Sequence, residues 1–256
     1  MHLAKLIIEP RLRTSWTALD LGETLVRPYW LRAFLLYLTL AVPAYYLLHS
    51  VLGPYSVWTF FVIWWFKPLF ERPILFLLSK EIFNEKCGYL KTLGSFKDWL
   101  FPGWLYAFTF ARLTPVRGMR APILLLERTN VSAYRARASV LSQGYSNTAG
   151  WHNVVLYHFE FFLYFSILAL VALFLPATTL QEFDFYTVTQ RDSVWLDMAV
   201  VVAMAAIAPF YVASSFLLYI SKRIEVEGWD IELCFRDWKA DLSDQVLSDR
   251  EATTHA

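Results

Sequence analysis

Charge is scarce in this chain. Asp, Glu, Lys and Arg make up 18% of its 256 residues and nearly cancel, leaving a formal +1. A one-signed field able to gather nucleic acid is thereby excluded. Glycine is scarcer still, at nine residues, and none builds a phosphate-cradling loop. No G-x-S-x-G or H-E-x-x-H run occurs, so two common hydrolytic chemistries have no footing. The two cysteines, Cys87 and Cys234, have neither metal-ligand nor redox spacing. Such absences point away from an enzyme, a cofactor and a metal site. A cleaved signal peptide is not expected, because the first residues lack a compact apolar run before a small-residue cleavage site.

What is present is apolar and aromatic. Hydrophobic residues reach 57%, against roughly 45–50% in a soluble domain. Eleven Trp and 21 Phe suit a bilayer, whose headgroup level holds aromatic rings. A hydrocarbon core about 30 Å thick needs roughly 20 apolar residues per helix. Four stretches meet that length: 31–52, 56–78, 154–175 and 194–220. A fifth, 99–110, is too short and contains Pro102 and Gly103, so an interfacial or re-entrant segment is expected there.

Orientation follows the distribution of Lys and Arg. Residues 112–137 carry six arginines: Arg112, Arg117, Arg120, Arg128, Arg135 and Arg137. Basic residues also cluster in 1–32 and follow the second and fourth stretches as Lys80, Lys86, Lys222 and Arg223. The 51–55 turn has no charge, and the 177–193 loop is mostly acidic. All basic segments fall on one side only if the chain makes two hairpins with both termini in the cytoplasm. The expected fold is therefore an all-α polytopic membrane protein with about four spans. The stretch 15–32, with Trp16, Leu19, Val26 and Trp30 near helical spacing, predicts an interfacial amphipathic helix.

The halves resemble each other. Lys67-Pro68-Leu69-Phe70 matches Ala208-Pro209-Phe210-Tyr211, Ser79-Lys80-Glu81-Ile82 matches Ser221-Lys222-Arg223-Ile224, and Phe96-Lys97-Asp98-Trp99 matches Phe235-Arg236-Asp237-Trp238. This register predicts an internal duplication, with repeats at 1–110 and 111–242 and a disordered tail at 243–256. Pro68 and Pro209 would each interrupt a helix near mid-bilayer.

An intramembrane polar cluster is the most informative feature: Lys67, Glu71 and Arg72, with His158, Glu160 and Asp197 on other spans. A charge at mid-bilayer costs roughly 2.5–3.5 kcal/mol on insertion scales, so these groups need partners or water. Lys67 and Glu71 have i,i+4 spacing and can pair. Arg72 points elsewhere, with Glu160 and Asp197 as candidate partners. Two readings stay open: a functional polar pocket, or an ion-pair lock between helices. The six arginines likewise admit lipid contact, a partner surface or a topology signal alone. The acidic run from Glu225 can close on them.

Three motifs carry a family resemblance: Trp16-x-Ala18-x-Asp20-Leu21-Gly22, Arg112-Leu113-Thr114-Pro115-Val116-Arg117 and Glu227-Gly228-Trp229-Asp230-Ile231-Glu232-Leu233. They resemble a group of bacterial inner-membrane proteins of unassigned activity. That group is distantly similar to the membrane domain of glycerophosphodiester phosphodiesterases. The resemblance implies a Gram-negative inner membrane and a complex involving a MoxR-type ATPase system. It supplies no catalytic residues. The functional expectation is a non-enzymatic membrane subunit that scaffolds or regulates a complex. The alternative is a transporter or lipid-binding protein with a polar pocket around Lys67, Glu71 and Arg72; an intramembrane enzyme using Glu160 and His158 is the third reading.

Overall fold

The computed structural model describes residues 7–53, 57–103, 113–127, 131–174, 194–229 and 231. Arg112, Arg128, Cys234, residues 104–110, the 177–193 loop and the polar tail lie outside them. Among the described residues every regular element is helical. In chain order these are α1 (Ser15–Val26), a 3-10 turn (Arg27–Tyr29), α2 (Trp30–Leu52), α3 (Val57–Ile82), α4 (Tyr89–Gly94) and α5 (Phe96–Leu100). Then come α6 (Arg117–Leu125), α7 (Val131–Ser142), α8 (Ser146–Leu173) and α9 (Val194–Glu227).

Among the described residues three helices are long and apolar enough to cross a membrane: Ser15–Leu52, Ser146–Leu173 and Leu196–Glu227. α3 also has the length, at 26 residues, but carries charge in its middle. The apolar window of the Leu196–Glu227 run is 72% buried and that of α8 only 6%, so α9 is the central post and α8 stands at the edge. α8 turns Phe159, Phe161, Phe162, Phe165 and Leu173 outward, and α2 and α3 add Leu31, Leu47, Trp58 and Phe61. An apolar surface of this extent on a monomer calls for lipid or partner helices.

α1 covers the first part of the stretch expected to form an interfacial helix. Its buried residues are Ala18, Leu19, Gly22 and Val26, while Trp16 is exposed. It runs through the 3-10 turn into α2, and the combined helix lies antiparallel along α9. Three contacts show the register: Tyr45 with Asp197, Trp30 with Ala206, and Gly22 with Ser214. The 3-10 turn follows from Pro28, which has no N–H for the Thr24 carbonyl; that carbonyl instead accepts from Arg27 N–H. A Cβ on Gly22 would lie 2.5 Å from Ser214 Cα, a distance only glycine permits. Small residues at such crossings let helices pack where lipid removes the hydrophobic drive to associate.

α3 contains Pro68 and Pro73, α9 contains Pro209, and each continues as one helix. The expected half-helices do not form. Packing holds the helices on both flanks of the prolines, through Phe70, Ile74 and Leu78 on α3 and Ala205, Ala208 and Phe216 on α9. Near Pro209 the Trp30 indole N–H donates to the Ala206 carbonyl at 3.0 Å. One core runs through both halves, joining Tyr37, Tyr45 and Ile74 to Met119, Phe216 and Tyr219. The proposed repeats therefore do not form separate cores.

At 34 residues α9 is about 51 Å long, roughly 20 Å more than a hydrocarbon core needs. Its surplus end carries Lys222, Arg223, Glu225 and Glu227. α4 to α7 gather near this charged end and the matching end of α3.

Candidate functional site

Lys67, Glu71 and Arg72 are all buried, with 4%, 7% and 7% of their surfaces exposed. They leave α3 toward three different elements. Lys67 Nζ donates to Glu160 Oε1 on α8 and lies 5.0 Å from the centre of the Tyr157 ring. Glu71 accepts both arms of the Arg117 fork from α6, at 3.0 and 3.1 Å. Arg72 donates to the carbonyls of Trp99, Leu100 and Pro102 at 3.3, 2.6 and 2.6 Å.

The pairing expected from i,i+4 spacing, Lys67 with Glu71, is therefore replaced. A planar guanidinium fits a carboxylate through two parallel bonds, which an ammonium cannot match. Arg117 takes Glu71, and Lys67 turns to Glu160. Glu160 in turn is no partner of Arg72. The carbonyls that receive Arg72 lie at the open end of α5 (Trp99, Leu100) and just beyond it (Pro102), where the last C=O groups of a five-residue helix have no intrahelical donor. Among the described residues Arg72 has no carboxylate partner.

The other residues of the expected cluster disperse. His158 is exposed, and its Nδ1 donates to the Val154 carbonyl one turn back at 2.8 Å. Glu160, two residues on, faces inward. The His158–Glu160 combination is therefore not assembled. Asp197 accepts from the Tyr45 hydroxyl at 2.9 Å, at the far end of α2 and α9. Among the described residues no three His, Cys, Asp or Glu side chains converge as metal ligands.

The arginine segment is mostly turned inward. Beyond Arg117, the Arg120 Nε donates to Ser142 Oγ at 3.1 Å. Arg137 pairs with Glu127 at 3.0 Å and with Glu227 at the end of α9. Arg223 joins Glu227 at 2.7 Å, and the Trp229 indole N–H donates to the same carboxylate at 2.8 Å. The Tyr219 hydroxyl donates to Glu127 at 2.6 Å. Burial works against the charge of Arg137, and the carboxylates of Glu127 and Glu227 more than offset it, so its guanidinium sits above its ordinary value. Arg135 alone of the described arginines in this segment is exposed. The acidic run thus meets the arginines at Glu227, through the first residues of the E-G-W-D-I-E-L stretch.

A cleft of about 70 Å³ opens beside these pairs, between α3, α6, α7 and α9. Pro68, Glu71, Arg72, Arg117, Arg120 and Tyr211 line it. Arg117 lies over the Tyr211 ring at 4.9 Å. Tyr211 is buried, and its hydroxyl rests against the Gly118 backbone without a well-formed hydrogen bond.

No family model, curated protein or solved structure matches the chain. Its role is therefore argued from this geometry. Tyr211, Gly118 and Glu127 escape a reading of the sequence. Tyr219, Arg223 and Glu227 do carry a signal, since they are spaced i, i+4 and i+8 on one face of α9.

Proposed function

We propose that this chain is a non-enzymatic, multi-pass subunit that scaffolds or regulates a complex in a bacterial inner membrane. In this reading α3 is the fourth span, α2–α3 and α8–α9 are two hairpins, and both termini lie in the cytoplasm. One observation carries it. Each charged side chain in the middle of α3 is matched to a group on a different element, so charge is used to fix helix against helix. Buried pairs specify which faces meet. A body whose helices are held against one another in this way suits a static platform. The transport reading gains less, because Lys67, Glu71 and Arg72 diverge rather than lining one path.

Arg135 and Val140 on α7 are exposed and belong to the side proposed as cytoplasmic. They mark a surface for a companion, and the family resemblance makes a MoxR-type ATPase system one candidate. The tagged chain, extracted from its own membranes in mild detergent, is expected to retain companion proteins at fixed stoichiometry. Arg135→Glu is expected to reduce that retention several-fold. A monodisperse species without companions overturns the proposal.

Orientation has its own test. In a Cys87→Ala, Cys234→Ala background, a cysteine at Arg135 should react with a membrane-impermeant maleimide only after the cytoplasmic side is opened. A cysteine at Gly53, in the α2–α3 turn, should react from the outside of intact cells. The opposite pattern reverses the assigned sides.

A further inference from the structure

The cleft between α3, α6, α7 and α9 holds an excess of positive charge. Three arginines, Arg72, Arg117 and Arg120, line it against the single carboxylate of Glu71 among the described lining residues. Glu71 is already held by both arms of Arg117. Arg72 is 93% buried (7% exposed) and is received only by neutral carbonyls, which orient it without cancelling its charge. A buried ion so placed is costly unless an anion completes it. An arginine has five N–H donors. Arg72 uses three in the contacts above and Arg120 one, to Ser142 Oγ. Donors therefore remain on both. The buried Tyr211 hydroxyl, lacking a well-formed hydrogen bond, adds a further group at the same cleft.

We infer that this cleft is a binding site for a phosphate group, held by Arg72 and Arg120 with Tyr211 donating beside them. Guanidinium forks match the spacing of phosphate oxygens. The volume of about 70 Å³ exceeds the roughly 10–15 Å³ that admits one water, leaving room for an anion with several oxygens. Arg72 stands five residues, about 7.5 Å, further along α3 than Lys67 toward the charged end of the fold. Within a membrane that displacement brings its guanidinium toward the headgroup level of the adjacent leaflet. The phosphate can belong to an anionic phospholipid or to a small soluble ion. This site goes beyond the platform role and does not depend on it, since a platform that retains companions can lack the ligand and the reverse also holds.

The test uses the full chain in a neutral maltoside detergent, free of phosphate. Its thermal unfolding is followed while dioleoyl phosphatidylglycerol, dioleoylglycerol or sodium phosphate is added at matched ionic strength. Phosphatidylglycerol is expected to raise the midpoint in a saturable way and dioleoylglycerol to leave it unchanged. If sodium phosphate acts too, the oxyanion suffices and a soluble source is supported; if it does not, the ligand is the lipid. Arg120→Gln, at a half-buried residue whose loss spares the α3 pairs, is expected to weaken binding about tenfold. Arg135→Gln removes an exposed charge of the same segment, outside the cleft, and is expected to leave the phosphatidylglycerol-dependent shift unchanged. Where Arg72→Gln folds, it should weaken binding at least as much as Arg120→Gln. The inference fails if neither phosphate source stabilises the protein, if dioleoylglycerol acts equally, or if Arg135→Gln weakens binding as much as Arg120→Gln.

Discussion

Lys67→Met alone is expected to collapse the yield of folded protein, and Lys67→Met with Glu160→Met to restore it. In the single variant Glu160 keeps a buried carboxylate with no cation against it. Removing one member of a buried pair costs about 3–5 kcal/mol. Total stabilities of about 5–15 kcal/mol leave little beyond that. Replacing both members by apolar side chains of similar length removes the desolvation cost together with the attraction, and such exchanges are often neutral or stabilising. Size-exclusion profiles from detergent and the midpoint of unfolding by a denaturing detergent read both effects. An unchanged midpoint in Lys67→Met would mean that Glu160 is solvated or differently paired, and the lock between α3 and α8 would be lost as an explanation.

Gly22→Val should produce the second large effect. Its new Cβ would fall 2.5 Å from Ser214 Cα and 2.7 Å from Ser214 N. These are backbone atoms of the central helix, so no rotamer change relieves the overlap. Overpacking typically costs 1–3 kcal/mol, and a backbone neighbour places this case near the upper end, about 3 kcal/mol. α1 is expected to lift from α9, and trypsin cleavage after Arg11 and Arg13 to accelerate about tenfold or more in proportion to the population opened. Gly94→Ala is the control, because nothing lies within 4 Å of a Cβ built there. Its stability should stay within about 0.5 kcal/mol of wild type. Equal protease resistance in Gly22→Val and wild type would show that α1 and α9 do not meet as described.

The helices were legible in the sequence because their apolar stretches are long and their breaks are marked by Gly53 and by charged turns. Their ends were not. α8 begins at Ser146, eight residues before the expected start at 154, and α9 runs to Glu227, seven beyond the expected 220. Hydropathy stops where the membrane stops, whereas a helix continues as long as neighbours satisfy it. α1 shows the same limit differently. Of the stripe Trp16, Leu19, Val26 and Trp30, Leu19 and Val26 are buried and Trp16 is exposed, while Ala18 and Gly22, whose value is closeness rather than greasiness, share the buried face.

The charged residues were legible as a problem and not as a solution. Lys67, Glu71 and Arg72 stood out because charge inside an apolar stretch is rare. Spacing along one helix suggested Lys67 with Glu71, since local spacing is all a sequence displays. Their actual partners, Glu160 and Arg117, lie 93 and 46 residues away. The carbonyls that receive Arg72 have no sequence signature at all, because every residue has one. The arginines of 112–137 were visible as a cluster. That Arg117, Arg120 and Arg137 turn inward while Arg135 stays outside depends on where α6 and α7 dock, which only tertiary packing decides.

The 93 residues between Lys67 and Glu160 also set an order of events at the ribosome. At synthesis rates of roughly 5–20 residues per second, α3 emerges some 5–20 seconds before the helix that neutralises it. On the proposed topology, with α3 as the fourth span, its lysine carries an insertion penalty of about 2.5–3.5 kcal/mol during that interval with nothing to offset it. The proposed first hairpin is then expected to wait, shielded in the insertion machinery or lying short of the lipid, until α8 arrives. A chain truncated before residue 150 should leave α3 exposed to quality-control proteolysis, and biogenesis of this protein would then be a post-translational closing of two halves rather than a helix-by-helix release.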